Sequence, residues 1–202
     1  GDGDMMEGLS AEAASLAGRG VHELVIVAQD SAAYRCPESG ESVWDLVESI
    51  SDAVRMPWIR LMYLHPAHID LERIVRFIEE KRIVAYLDIP IQHAADGILR
   101  AMRRPYGRRD LDRLFGALRS RVDRLVLRTT VMVGFPGEGE AEFEELVDFV
   151  RREQFDHFLI PATASPPLAT PGIIAVKQKG NQQKSASYSY SYLSAVRPPS
   201  GR

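Results

Sequence analysis

Short apolar runs alternate with amphipathic stripes along the first three quarters of the chain. Residues 24–27 (LVIV) are continuous, apolar and largely β-branched, the pattern of a strand buried on both faces. Val43, Leu46, Val47, Ile50 and Val54 then recur at helical spacing, and Pro57 closes that segment. A second strand is predicted over 58–64, and Leu71, Ile74, Val75 and Ile78 give the next helical face. Residues 83–91 predict a third strand. A longer helical stretch follows, with Leu111, Leu114, Phe115, Leu118 and Val122 on one stripe. The fourth strand is predicted over 125–133, with Phe143, Leu146, Val147 and Val150 on the helix behind it. Upstream, residues 9–17 read as a short helix ended by Gly18 and Gly20.

A helix followed by four strand–helix units is the pattern of an α/β fold with a parallel sheet and right-handed crossovers. A complete eight-fold barrel takes about 250 residues, so this body amounts to about half of one. Periodicity leaves two arrangements open: an open doubly wound sheet, or a partial barrel with helices outside.

Charge separates the rest of the chain from this body. All 28 acidic residues lie between Asp2 and Asp156, which leaves the body at −8 against a net charge of −3 for the whole chain. The 46 residues from 157 to 202 contain no acid and carry Lys177, Lys179, Lys184, Arg197 and Arg202. Residues 161–171 are rich in Pro, Ala and Thr, and the tail continues into a Ser/Tyr alternation, so an irregular, low-complexity segment is expected over 157–202. The basic excess lies outside the folded body, which argues against a domain that coats nucleic acid. At 202 residues and 45% apolar the chain can bury a real core. It shows no apolar run of about 20 residues and no signal peptide, so a cytoplasmic protein without a membrane partner is expected. One cysteine, Cys36, excludes a disulfide framework and a multi-cysteine metal site within these residues.

In parallel α/β folds, chemistry sits at the carboxyl ends of the strands. Those positions hold Gln29 and Asp30, then His65 and His68, then Gln92 and His93, then Gly134 to Glu138. Arg60, Asp88 and Arg128 lie inside otherwise apolar strands, so Asp88 is expected to bridge to Arg60 or Arg128, or to face a polar mouth. His65 and His68 are three apart, but Pro66 intervenes and no third ligand is evident, so they are read as loop histidines and no metal site is assigned. GFPGEGE (134–140) lacks the lysine of a P-loop. It reads as a tight strand-to-helix turn whose backbone approaches a flat ligand. Arg100, Arg103, Arg104, Arg108 and Arg109 form a basic cluster, either a solvated helix end or a patch for an acidic partner.

Several segments together resemble the radical S-adenosylmethionine methylthiotransferases: VHELVIVAQD (21–30), WIRLMYLHPAHI (58–69), YLDIPIQHA (86–94), ILRAMRRP (98–105) and LRTTVMVGFPGE (127–138). The likeness is greatest to the branch that converts an aspartate of ribosomal protein S12 to 3-methylthioaspartate. The sibling branch, which acts on an adenosine of tRNA, usually has Gly-Gln-Asn where this chain has Ala28-Gln29-Asp30. That branch usually has Pro-Val-Gln-Ser-Gly where this chain has Pro90-Ile91-Gln92-His93-Ala94.

The resemblance implies a partial (β/α) barrel that holds S-adenosylmethionine across its top. By motif position, Gln29 and Asp30 would meet the methionine moiety and Gln92 and His93 the ribose. Val131, Val133 and Gly134 would lie along adenine, and Arg128 would reach the cofactor from the same strand. It also implies [4Fe-4S] clusters. The Cys-x3-Cys-x2-Cys loop that would bind one is absent from these residues, as are the further cysteines of an auxiliary cluster. No catalytic residue is therefore assigned, and the chain as written is expected to be catalytically incomplete. Likeness and acidic residues both stop at Asp156, which leads us to expect a core domain over 1–156 and a tail out of the original reading frame over 157–202. The rival readings are a tRNA adenosine methylthiotransferase segment and a non-catalytic module that docks the ribosome or S12 through the arginine cluster. Direct contact with nucleic acid is left open.

Overall fold

The computed structural model describes residues 22–37, 39–53 and 58–160, all within the first of two units, Gly1–Ala162. The helix expected over 9–17 and most of the tail, 161–202, lie outside the described residues.

Among the described residues, five strands and five α-helices follow one another in the order predicted, with one strand and one short helix more. They are β1 (Glu23–Ile26), α1 (Val43–Ala53), β2 (Trp58–Leu61), α2 (Leu71–Glu79), β3 (Tyr86–Asp88), α3 (Asp96–Ala101), α4 (Arg108–Arg121), β4 (Val126–Thr130), α5 (Glu140–Glu153) and β5 (His157–Leu159). β1 pairs with β2, and β3 with β4 and then β5, every pairing parallel. Leu64 N–H donates to Asp88 O at 2.8 Å and Val84 N–H to Ile59 O at 2.9 Å, tying the two ladders along β2 and β3.

The strand order is thus the sequence order. Right-handed crossovers that always advance in one direction put every helix on the same side of the sheet, whereas a doubly wound sheet must reverse. This selects the partial barrel from the two arrangements that the periodicity allows. β5 adds a strand directly after Asp156, at a place where only irregular tail is expected.

Strand side chains alternate accordingly. Ile59, Leu61, Leu87, Ile89, Leu127 and Thr129 are buried on the helix side. They meet Leu46, Val47 and Ile50 of α1, Ile74 and Phe77 of α2, Leu111, Phe115 and Leu118 of α4, and Leu146 and Phe149 of α5. The other face carries Arg60, Tyr86, Asp88 and Arg128. The expectation that 24–27 is buried on both faces is corrected: Val25 is 46% and Val27 62% exposed, while Leu24 and Ile26 pack on the core. Parallel strands are apolar on both faces where both are covered, and among the described residues nothing covers the concave face of β1.

Local chemistry sets the helix starts. Asp70 caps α2 by accepting Arg73 N–H at 3.1 Å. At the start of α4, Asp96 accepts Arg108 N–H at 2.7 Å, and a Cβ on Gly107 would lie 2.7 Å from the same carboxylate oxygen. A larger residue there would push the Asp96 carboxylate away from the helix start that it caps. Among the described residues, no helix is long and apolar enough to cross a membrane.

Candidate functional site

The strand ends converge on three linked groups of polar side chains. The first stands where β1 and β2 end. Asp30 Oδ1 accepts three backbone N–H groups, from Ala32 at 3.1 Å, Ala33 at 3.3 Å and His65 at 3.3 Å. This orients Oδ2 toward His68 Nδ1, 2.5 Å away. Burial opposes the Asp30 charge, but the His68 hydrogen bond and the backbone donors outweigh it and hold its pKa below the ordinary carboxylate range. His65 stacks on His68 with ring centroids 4.8 Å apart and meets the edge of Tyr106 at 5.3 Å. Arg104 Nη1 lies 3.5 Å from His65 Nε2. Burial lowers the His65 pKa, Asp30 opposes that shift, and His68 and Arg104 add to it. Tyr106 donates to Ile91 O at 3.1 Å, and burial pushes its phenol up to about 12.

The second group lies along the concave face. Arg128 on β4 reaches Asp88 on β3 at 2.6 Å, the two being register partners, and the Asp88 side chain is fully buried. Burial raises the Asp88 pKa, with Arg128 pulling against it. Of the two bridges expected for Asp88, Arg128 makes this one. Arg60 instead pairs with Glu23 at 2.6 Å, its guanidinium 4.1 Å above the Tyr86 ring.

The third group surrounds the turn after β4. Gln92 forms a parallel bridge with Val131, and its backbone stands at φ +63°, which turns the chain out of the sheet. Gly134 adopts φ +79° and Gly137 φ +90°, left-handed conformations that suit glycine. Glu138 closes the turn, its Oε2 accepting Gly134 N–H at 2.5 Å and Phe135 N–H at 3.0 Å. Its Oε1 lies 3.4 Å from His93 Nε2. His93 is fully buried, and its Nδ1 accepts Ala95 N–H at 3.0 Å, so the Nε2 nitrogen carries the ring proton. Burial lowers the His93 pKa against the pull of Glu138.

Gln29 is exposed, and Asp30, Gln92, Arg128 and Val133 are partly exposed along this rim; Gly134 is exposed at the turn. Val131 is 2% exposed and His93 0%, so neither side chain presents surface to a ligand; the Val131 backbone bridges Gln92, and His93 Nε2 faces Glu138 Oε1. The arginine cluster divides. Arg104 turns to His65, and Arg108 pairs with Asp112 at 3.0 Å over the Phe149 ring, leaving Arg100, Arg103 and Arg109 exposed. Glu138 as a turn brace and Tyr106 as a wall of the first group escape sequence reasoning. An acid four residues after a strand-end glycine is the signal that could have revealed Glu138.

These shifts give the site a pH dependence. His65 and His93 have folded pKa values below the ordinary 6.5, and Asp30 lies below its ordinary value. The unfolded chain therefore binds more protons than the folded one, and stability falls as pH drops through about 6.5. Asp88, raised by burial, acts in the opposite sense. We expect the urea midpoint to fall between about pH 7.5 and pH 6. A midpoint that holds level or rises over that interval contradicts the buried neutral histidines.

Comparison with known proteins gives a consistent picture. The family model described as the radical SAM superfamily matches residues 7–150. Ribosomal protein uS12 methylthiotransferase RimO of Syntrophomonas wolfei is 46% identical over 146 residues, which are 72% of this chain and 33% of that protein. The RimO protein of Acetivibrio thermocellus is 43% identical over 152 residues, 75% of this chain and 34% of the relative. This chain thus spans about a third of the length of these relatives. Among solved structures, the radical S-adenosylmethionine methyltransferase TsrM of Kitasatospora setae, with cobalamin and a [4Fe-4S] cluster bound, superposes with a TM-score of 0.59 at 15% identity. That match covers 77% of this chain and 30% of TsrM and speaks to the fold. A parallel partial barrel with a polar rim at its strand ends and a family match over more than half of its length places this chain in the radical SAM superfamily.

Proposed function

We propose that this chain is the central part of the catalytic domain of a ribosomal protein S12 methylthiotransferase, with S-adenosylmethionine lying across the strand-end rim. The observation that carries the reading is the 46% identity to a uS12 methylthiotransferase over 146 residues, 72% of this chain. Asp30 offers its aligned carboxylate to the ammonium of the methionine moiety, with Gln29 beside it. Gln92 and the backbone of Val131 flank the ribose and adenine, and the Gly134 turn, braced by Glu138 and His93, gives a flat base a close surface. Arg128 presents a partly exposed guanidinium held by Asp88. Arg104, whose buried Nε has no hydrogen-bond partner among the described residues, supplies a further donor at the mouth. This donor set fits the charged and polar groups of the cofactor, and the radical chemistry the cofactor would supply would need its electron from outside these residues.

The cluster itself does not fit these residues. Three thiolates are needed and the chain has one cysteine, Cys36, which is buried. We derive no step through it. The substrate is S12, free or in the ribosome, in the cytoplasm.

A chimaera tests the reading. Residues 7–156 replace the matching segment of the full-length Syntrophomonas wolfei RimO, and S12 and tRNA are offered as substrates. Mass spectrometry is expected to find a methylthio group on an S12 aspartate, and Asp30→Ala in the chimaera is expected to weaken S-adenosylmethionine binding at least about tenfold, the loss of one charge-assisted contact. Modification of tRNA adenosine instead of S12 would move the assignment to the sibling branch. A folded chimaera that binds the cofactor and modifies neither would overturn the reading.

A further inference from the structure

The rim contains a constellation with a chemistry of its own. Asp30, His65 and His68 each offer a ligand atom, and these atoms all lie within 4.8 Å of one another. Among the described residues no other group of three histidine, cysteine or carboxylate side chains converges in this way. The two histidines lack an evident third ligand in the sequence because Asp30 is 35 residues upstream of His65, and only the pairing of β1 with β2 brings it to them. We propose that Asp30, His65 and His68 bind a divalent first-row transition metal ion of the zinc class at the mouth formed by the ends of β1 and β2.

Three observations support this. Two imidazoles and one carboxylate are a donor set that such ions accept, with one position open for water or an anion. Around an ion with bonds of about 2.1 Å, tetrahedral donors stand about 3.4 Å apart, so the widest spacing contracts by about 1.4 Å while the hydrogen-bonded Asp30 Oδ2–His68 Nδ1 pair, now 2.5 Å apart, opens by about 0.9 Å as the ion replaces the proton between them. Asp30 is already oriented by something other than a metal. Its Oδ1 is saturated by the backbone N–H groups of Ala32, Ala33 and His65, which leaves Oδ2 as the donor. That is the outer-shell support that ligating carboxylates use. The charge balance is tolerable as well. The cation of Arg104 beside His65 is offset by Asp30, and its unpartnered Nε favours an anionic fourth ligand.

The site shares Asp30 with the proposed cofactor rim but rests on its own geometry, and its test contains no S-adenosylmethionine. Failure of that reading therefore leaves the metal result intact, and the reverse holds too. The 202-residue chain is titrated with Co2+, read by its visible absorption, and with Zn2+ as competitor. Saturable binding of one ion per chain is expected, displaced by Zn2+, lost in both His65→Ala and His68→Ala, and unchanged in His157→Ala. His68 has a side chain 48% exposed, so its replacement leaves the fold in place, and circular dichroism verifies this for each variant. Absence of saturable binding in the unmodified chain overturns the proposal. So does a cobalt spectrum that persists in folded His68→Ala.

Discussion

Arg128→Ala is expected to cost about 3–5 kcal/mol of folding stability, the loss seen when one partner of a buried ion pair is removed. The Asp88 side chain has no exposure, and Arg128 meets it at 2.6 Å across adjacent, registered strands. Without the guanidinium, Asp88 must either keep an uncompensated charge in the sheet or take up a proton. Its pKa is already raised by burial, so protonation is the cheaper route and places the loss toward the lower end of the range. The same reasoning predicts that replacing both partners by apolar residues, Asp88→Leu with Arg128→Met, recovers most of the loss. Urea denaturation of the three proteins checks this. A loss below about 1 kcal/mol for Arg128→Ala, or a double variant as unstable as the single one, would show that the pair does not hold β3 to β4.

Phe115→Ala is expected to cost a similar 3–5 kcal/mol, about the same magnitude for a different reason. Phe115 is fully buried on α4, and its ring meets the edges of Phe155 at 5.1 Å and Phe149 at 6.0 Å. This cluster fastens α4 and α5 together and, through Phe155, fixes the turn that leads into β5. Arg108 and Arg152 flank the Phe149 ring at 4.7 and 5.4 Å, so the site cannot collapse easily around the missing ring. A domain of this size has about 5–15 kcal/mol in total, and the variant should be close to unfolding at room temperature. Guanidinium melts read the effect. A cost under about 1.5 kcal/mol would mean that the aromatic cluster repacks around the gap and that Phe115 does not fasten the two helices.

Phe115→Ala acts away from the exposed rim and so reads folding without binding. Arg128 alone belongs to both, since its pairing with Asp88 stabilises the sheet and its partly exposed head faces the proposed cofactor.

The amino-acid sequence by itself determined the element types and their order. Periodicity of two or of 3.6 is a local property, and every strand–helix unit between residues 24 and 150 carries its own. It also placed Gln29, Asp30, Gln92 and Gly134 at strand ends, because a strand's end is marked by the first polar or glycine residues after an apolar run. β5 escaped it: HFL is three residues long with one half-buried side chain, too short for alternation to register. Tertiary structure alone decided which strands are neighbours, and the order β1 to β5 turned two possible sheets into a partial barrel. It alone chose Arg128 rather than Arg60 for Asp88, because registers across a sheet depend on how the crossover helices pack, not on either strand's composition. In the same way it buried His93 against Glu138 and carried Asp30 to His65 and His68. Contacts between residues tens of positions apart are set by the packing of whole elements, and no window along the chain contains them.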